Sequence, residues 1–142
     1  MFEKVEQTIL TRLAERLGVD VHVGPLRELE RVKENRQKAP AVWVIYDGYR
    51  VGDVITTGAI QQVRLDWIVV VTAKSAKGQG DPHDARDEAG ALAEQVLGAL
   101  LGYHLGGGKH LHLTDAPGPE YSAGYCHVPL AFSCAATLKG TP

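Results

Sequence analysis

The chain has 142 residues, of which 44% are hydrophobic and 23% charged, with a formal net charge of -2. That length supports a single domain over residues 1–142, with a core that needs no metal or disulfide staples. The near-neutral balance argues against a nucleic-acid binder, which carries a basic excess, and no apolar run nears the ~20 residues of a membrane span.

Met1-Phe2-Glu3-Lys4 lacks the apolar core of a signal peptide, so the expected compartment is a cytoplasm. Phe2, Val5, Ile9, Leu13 and Leu17 recur at helical spacing, and Leu10 and Ala14 widen the stripe into one apolar face. Gly18 is a good terminator for that helix. Val19, Val21 and Val23 alternate with Asp20 and His22, which predicts a short half-exposed strand. After Gly24-Pro25, the residues Leu26, Leu29 and Val32 predict a short helix to about Asn35. Five basic residues lie between Arg27 and Lys38, but Glu28, Glu30 and Glu34 are interleaved at pairing distance, as on a solvated helix face.

Pro40 introduces Ala41-Val42-Trp43-Val44-Ile45-Tyr46, a strand apolar on both faces. Asp47-Gly48 is turn chemistry. The segment Tyr49 to Gly58 leads back into Leu65–Ala73, which predicts a long antiparallel hairpin with Arg50 to Thr57 in its tip. A hairpin of that length projects from a compact domain and is a natural contact element. Its candidate interface residues are Tyr49, Arg50, Val51, Asp53, Val54 and Ile55, with Tyr and Arg of the types enriched at interfaces.

The stretch Arg64 to Leu101 organises the rest. Leu65, Trp67, Val69, Val71 and Ala73 point to one side of the strand, and Ile68 and Val70 to the other. Asp66, near the start of the strand, is assigned an ion pair with Arg64. Asp81-Pro82 opens a long helix, with Asp81 as cap and Pro82 as first residue. Ala85, Ala89, Leu92, Ala93, Val96, Leu97 and Leu100 give it one apolar face that can lie close on a sheet. A strand apolar on both sides departs from the clean alternation of a half-wet antiparallel sheet. The far side must be covered, either by the C-terminal segment or by another subunit.

Gly106-Gly107-Gly108 follows a helix rather than a strand and so reads as a connector, not a phosphate loop. His110-Leu111-His112-Leu113 alternates as a strand, and Tyr121 to Leu138 forms a last extended segment. Pro129 makes that segment an edge or a bulged strand. The result is an α+β fold, a mostly antiparallel sheet with helices packed on one face in the order α-β-α-β-β-α-β-β.

Little in this pattern carries chemistry. No Gly-x-Ser-x-Gly is present, and Ser75, Ser122 and Ser133 lack a partner in sequence. Cys126 and Cys134 share a strand face but lie eight positions apart, beyond disulfide reach, and read as reduced buried hydrophobes. His110, His112 and His127 could form a zinc site if the last strands pair, although the usual ligand spacings are absent. The expectation is a protein without catalytic residues, metal or cofactor.

The helix ending in Leu-Gly, "VDVHVG", "APAVWVIYDGYR", "QVRLDWIVVVTAKS" and the D-P-x-D-A-R helix start follow one another in a familiar order. The whole chain resembles the small phage and prophage tail proteins of the Mu-like Gp37 type, relatives in fold of the tail terminators of long-tailed phages. The resemblance implies a structural virion protein that caps the tail tube as a hexameric ring, fixes tail length and presents a head or neck docking surface. Its implied partners are copies of itself, the tail tube protein and a neck or head-completion protein, with genomic DNA passing through the lumen. A neck or head-completion connector is the nearest alternative function, and a zinc enzyme using the three histidines is the other. The resemblance carries over no catalytic residues.

Overall fold

The computed structural model describes residues 2–26, 38–55, 58–75, 82–122 and 124–141. Helix α1 spans Phe2–Arg16, and strand β1 follows at His22–Pro25. The long strands β2 (Ala41–Ile55) and β3 (Ile60–Lys74) form a hairpin, and helix α2 (Pro82–Leu100) follows. Four short strands come next: β4 (His104–Gly106), β5 (Lys109–His110), β6 (His112–Thr114) and β7 (Glu120–Ser122). Strand β8 (Tyr125–Lys139) closes the chain.

The main sheet runs β1-β2-β3-β8-β6, with β7 also on β8, while β4 and β5 form a separate ribbon. Among the described strands only β1–β2 is parallel; β3 pairs antiparallel with β2 on one side and β8 on the other along its whole length. The architecture is the expected α+β, with more short strands near the C-terminus than periodicity indicated.

Alternation decides the two faces. Val42, Val44, Val63, Leu65, Trp67, Val69, Val71, Phe132 and Cys134 form one core with Val5, Ile9 and Leu13 of α1 and Ala85, Ala89, Val96 and Leu100 of α2. Trp67 and Phe132 face each other across β3 and β8 and are fully buried. Burial of side chains of this size contributes roughly 1.5–3 kcal/mol each. Two devices fix the helices on this face. Arg12 Nε donates to the carbonyl of Ala99 at 2.9 Å, satisfying one of the unpaired acceptors at the end of α2. The same guanidinium lies 4.4 Å from the centre of the Tyr103 ring.

The opposite face overturns one expectation. Leu26, Ala41, Trp43, Ile45, Ile68 and Val70 form a second buried cluster, and Trp43 is only 3% exposed in the isolated chain. The His22 ring packs on Trp43 at 4.8 Å, and Lys38 Nζ lies 6.0 Å over it. Those six side chains are buried within one chain, whereas Ile55, on the same face further along β2, is exposed. The helix expected from Pro25 falls mostly outside the described residues; Pro25 itself ends β1. The Asp81 cap also lies outside them.

Smaller expectations shift for local reasons. Val19 is fully exposed, because the strand starts only at His22, where pairing with Ala41 begins. Asp47-Gly48 is not a turn: β2 continues through it by a register shift between Tyr46 and Gly48, with Gly48 at φ +104°. The hairpin tip is therefore shorter than expected, and Arg50 to Ile55 lie in strand β2. Pro129 does not interrupt β8; β6 pairs with residues 131–133 and β7 with 125–127, so the missing N–H falls in the gap between them.

Candidate assembly surface

Past Tyr46 the hairpin leaves the cover of β1, whose pairing with β2 ends at Val44. Tyr49, Val51 and Val54 are 61%, 73% and 62% exposed, and Ile55 is also exposed. Pairing sets their directions. Tyr49 lies opposite Leu65 and Val51 opposite Val63, so both face the helix side of the sheet beyond the reach of the helices. An aromatic row leads to them: Trp67 meets Tyr46 at 5.1 Å, and Tyr46 meets Phe2 at 4.9 Å. Burial against these rings pushes the Tyr46 hydroxyl above its ordinary value, with Tyr49 and Asp66 adding to the shift.

Polar contacts hold the other side of the hairpin. Arg50 Nε and Nη2 each donate to Asp66, at 3.0 Å to Oδ2 and 3.0 Å to Oδ1. This two-pronged contact raises the guanidinium above its ordinary value, through the hydrogen bond first and the carboxylate charge second. Asp66 therefore pairs with Arg50, not with Arg64 as expected; Arg64 Nη1 instead lies 3.3 Å from His112 Nε2. A second bulge falls between Val51 and Val54. Gln61 closes it, donating Nε2 to the carbonyl of Gly52 at 2.8 Å and to that of Asp53 at 3.3 Å. Asp53 is thus at a bulge whose backbone is tied down. Beside the ion pair an open cleft of about 440 Å³ is lined by Asp47, Arg50, Asp66, Thr114, Asp115 and Ala131.

The structure brings the six hairpin residues onto one projecting element, four apolar and outward and two held by polar contacts. It does not bring together the three histidines. His110 in β5 packs edge-on against His104 at 4.2 Å, and His112 starts β6 opposite Ser133. His127, six residues along β8 from Ser133 and thus roughly 20 Å away, is buried with Nδ1 2.9 Å from Thr72 Oγ1. Among the described residues no three His, Cys, Asp or Glu side chains are grouped to hold a metal. Cys126 and Cys134 are free and buried, and burial is the main cause that pushes both thiols up, away from the reactive thiolate. Of the basic segment Arg27–Lys38, only Lys38 is among the described residues.

Sequence reasoning missed Asp66 and Gln61 as parts of this element. The signal for the first was present: Arg50 and Asp66 are opposite charges placed evenly about Gly58, as a hairpin centred there would bring them together.

What the geometry defines is an α+β domain whose long hairpin carries exposed apolar side chains at its far end. The chain belongs to the phage tail terminator protein family, whose model matches residues 5–142. No curated protein matches it. Membership gives it a structural role in the phage tail, in association with tail and head components of the virion. Among the described residues no helix is long and apolar enough to cross a membrane.

Proposed function

We propose that this protein caps the head-proximal end of the tail tube as a ring, hexameric in the reading its sequence supports, and so ends tail growth and offers the docking surface for the head or neck. The exposed apolar half of the β2–β3 hairpin carries the proposal. Tyr49, Val51, Val54 and Ile55 are exposed at the far end of β2, whereas Val42, Trp43, Val44 and Ile45 at its start are buried on both faces. Tyr49, Val51 and Val54 lie in a row on the helix side and Ile55 on the other, and contiguous apolar surface such as that row marks an interaction site.

A ring needs two different patches and a rotation that closes. The hairpin supplies one such patch and can reach a neighbouring copy or the tube. DNA passes through the lumen without binding, which a chain of net charge -2 favours because few phosphates are neutralised. Assembly takes place in the host cytoplasm. The narrower likeness to the Mu-like Gp37 type rests on the sequence segments alone.

The test is electron microscopy of particles made without this protein. Overlong or headless tails are expected, and normal joined virions would contradict the reading.

A further inference from the structure

We propose that His104 and His110 form a two-imidazole site for a borderline divalent transition ion of the zinc type, one ion to each chain. The β4–β5 ribbon builds the site alone, and the inference does not depend on the ring reading above.

The backbone sets the pair. His104 and His110 are register partners across the antiparallel ribbon. The Leu111 N–H donates to the Tyr103 carbonyl at 3.1 Å, one residue outside them, so the two histidines are a non-hydrogen-bonded pair. In such a pair the Cα atoms approach to about 4.5 Å and the side chains stand together on one face. Alternation decides which face. Leu111, beside His110, is buried in the main core, and Leu105, beside His104, packs against that core. Both histidines therefore face outward, and both are exposed. Lys109 turns inward: it lines a cleft with Val5 and Leu105, and its charge reaches the buried Cys134.

The spacing suits a shared ion. The ring centres are 4.2 Å apart, with the planes at 73°. A zinc–nitrogen bond of ~2.0–2.1 Å puts each ring centre about 3.2 Å from the ion. Two centres at that separation subtend about 80° at the ion, near the cis angle of a six-coordinate site. A turn of the exposed rings brings one nitrogen of each onto the ion and can widen the angle to the tetrahedral one. Imidazole suits zinc, copper and nickel, whereas magnesium and calcium take oxygen ligands. Among the described residues no third His, Cys, Asp or Glu groups with these two, so water completes the coordination and the site is a clamp, not a fold-determining centre. The ribbon is a place for a clamp. Its strands pair with each other and not with the main sheet. They turn through Gly106, Gly107 and Gly108, all at positive φ, whose ordering is entropically costly.

Zinc titration of the metal-free full chain tests the site, slightly above neutral pH because imidazole binds as the neutral base. Calorimetry is expected to give one ion per chain. In magnetic resonance spectra the ring signals of His104 and His110 should shift together, while those of His22, His112 and His127 hold. These signals are read on the unsubstituted chain, so the outcome does not depend on a variant folding. His104→Gln and His110→Gln are each expected to weaken binding by about tenfold or more, since the second imidazole acts at the high effective concentration of a linked ligand. His112→Gln should leave it unchanged. Absence of heat and of ring shifts in millimolar zinc would overturn the site. So would shifts confined to one of the two rings, binding that survives both single substitutions, or binding lost with His112→Gln.

Discussion

Arg50 and Asp66 meet through two parallel hydrogen bonds of 3.0 Å across the antiparallel pair β2–β3, diagonal to the true register that sets Arg50 opposite Arg64. The diagonal exists because the bulge after Tyr46 shifts β2 relative to β3. The pair braces the hairpin at the point where β1 no longer supports it. Its geometry is that of a fork on a carboxylate, which lysine cannot reproduce. Arg50→Ala is expected to lower the melting temperature at low salt by a few degrees at most. The difference should shrink in about 1 M salt, where the screening length falls to about 3 Å. Arg50→Lys should recover only part of it. Thermal melts of the three proteins at both salt levels measure this; equal melts at low salt would mean that the brace contributes nothing.

Glycines give predictions of opposite sign. At Gly48 a side chain would meet no atom within 4 Å, but φ is +104°, so Gly48→Ala is destabilising by about 1–2 kcal/mol through backbone strain alone. Gly90 and Gly98 lie within α2, exposed, with nothing within 4 Å of an added Cβ. There Gly→Ala removes unfolded-state freedom at no steric cost and is stabilising by roughly 0.5–1 kcal/mol each. Urea unfolding of the three variants checks both signs.

The thiols give a pH dependence. Burial raises Cys126 and Cys134 above the ordinary thiol value of 9.0. A group whose folded-state pKa is raised contributes stability that is fully present below the unfolded value and is lost as pH climbs through the folded one. Stability is therefore expected to fall above about pH 9. Tyr46, raised from 10.0, adds to the decline further up. Replacing both cysteines by alanine should flatten only the thiol share. In the native protein neither thiol should react with an aromatic disulfide reagent at pH 8 until denaturant is added. Immediate reaction would contradict their burial.

The main elements were legible because their periods were clean: α1, the β2–β3 hairpin, α2 and the last strand each show one face in sequence. The two-sided character of β3 was also legible, and Ile68 and Val70 do point away from Leu65 and Trp67. What covers that second face was not, since Leu26 and Trp43 meet only through the parallel pairing of β1 with β2. Periodicity carries no information on such non-local partners. Asp47-Gly48 misled because the glycine that permits a turn permits a bulge equally well. At the candidate site the sequence shows the apolar letters but not their exposure: Val51 at the far end of β2 and Val42 at its start look alike, and only the reach of the helices over that face separates them.

The burial of the second cluster within one chain separates stability from assembly. Trp43 is buried with Ile45 and Val70, so Trp43→Ala is expected to destabilise the monomer by about 3–5 kcal/mol. Val51, 73% exposed on the hairpin, should behave in the opposite way. Val51→Asp is expected to leave the monomer within about 0.5 kcal/mol of the parent, yet to abolish incorporation into tails, because a charge would be buried without a partner at the interface. Denaturant unfolding of the isolated chain and electron microscopy of particles carrying each variant measure the two effects separately. A tolerant Trp43→Ala monomer that fails to assemble, paired with a Val51→Asp chain that builds normal tails, would move the contact surface from the hairpin to the face of the sheet.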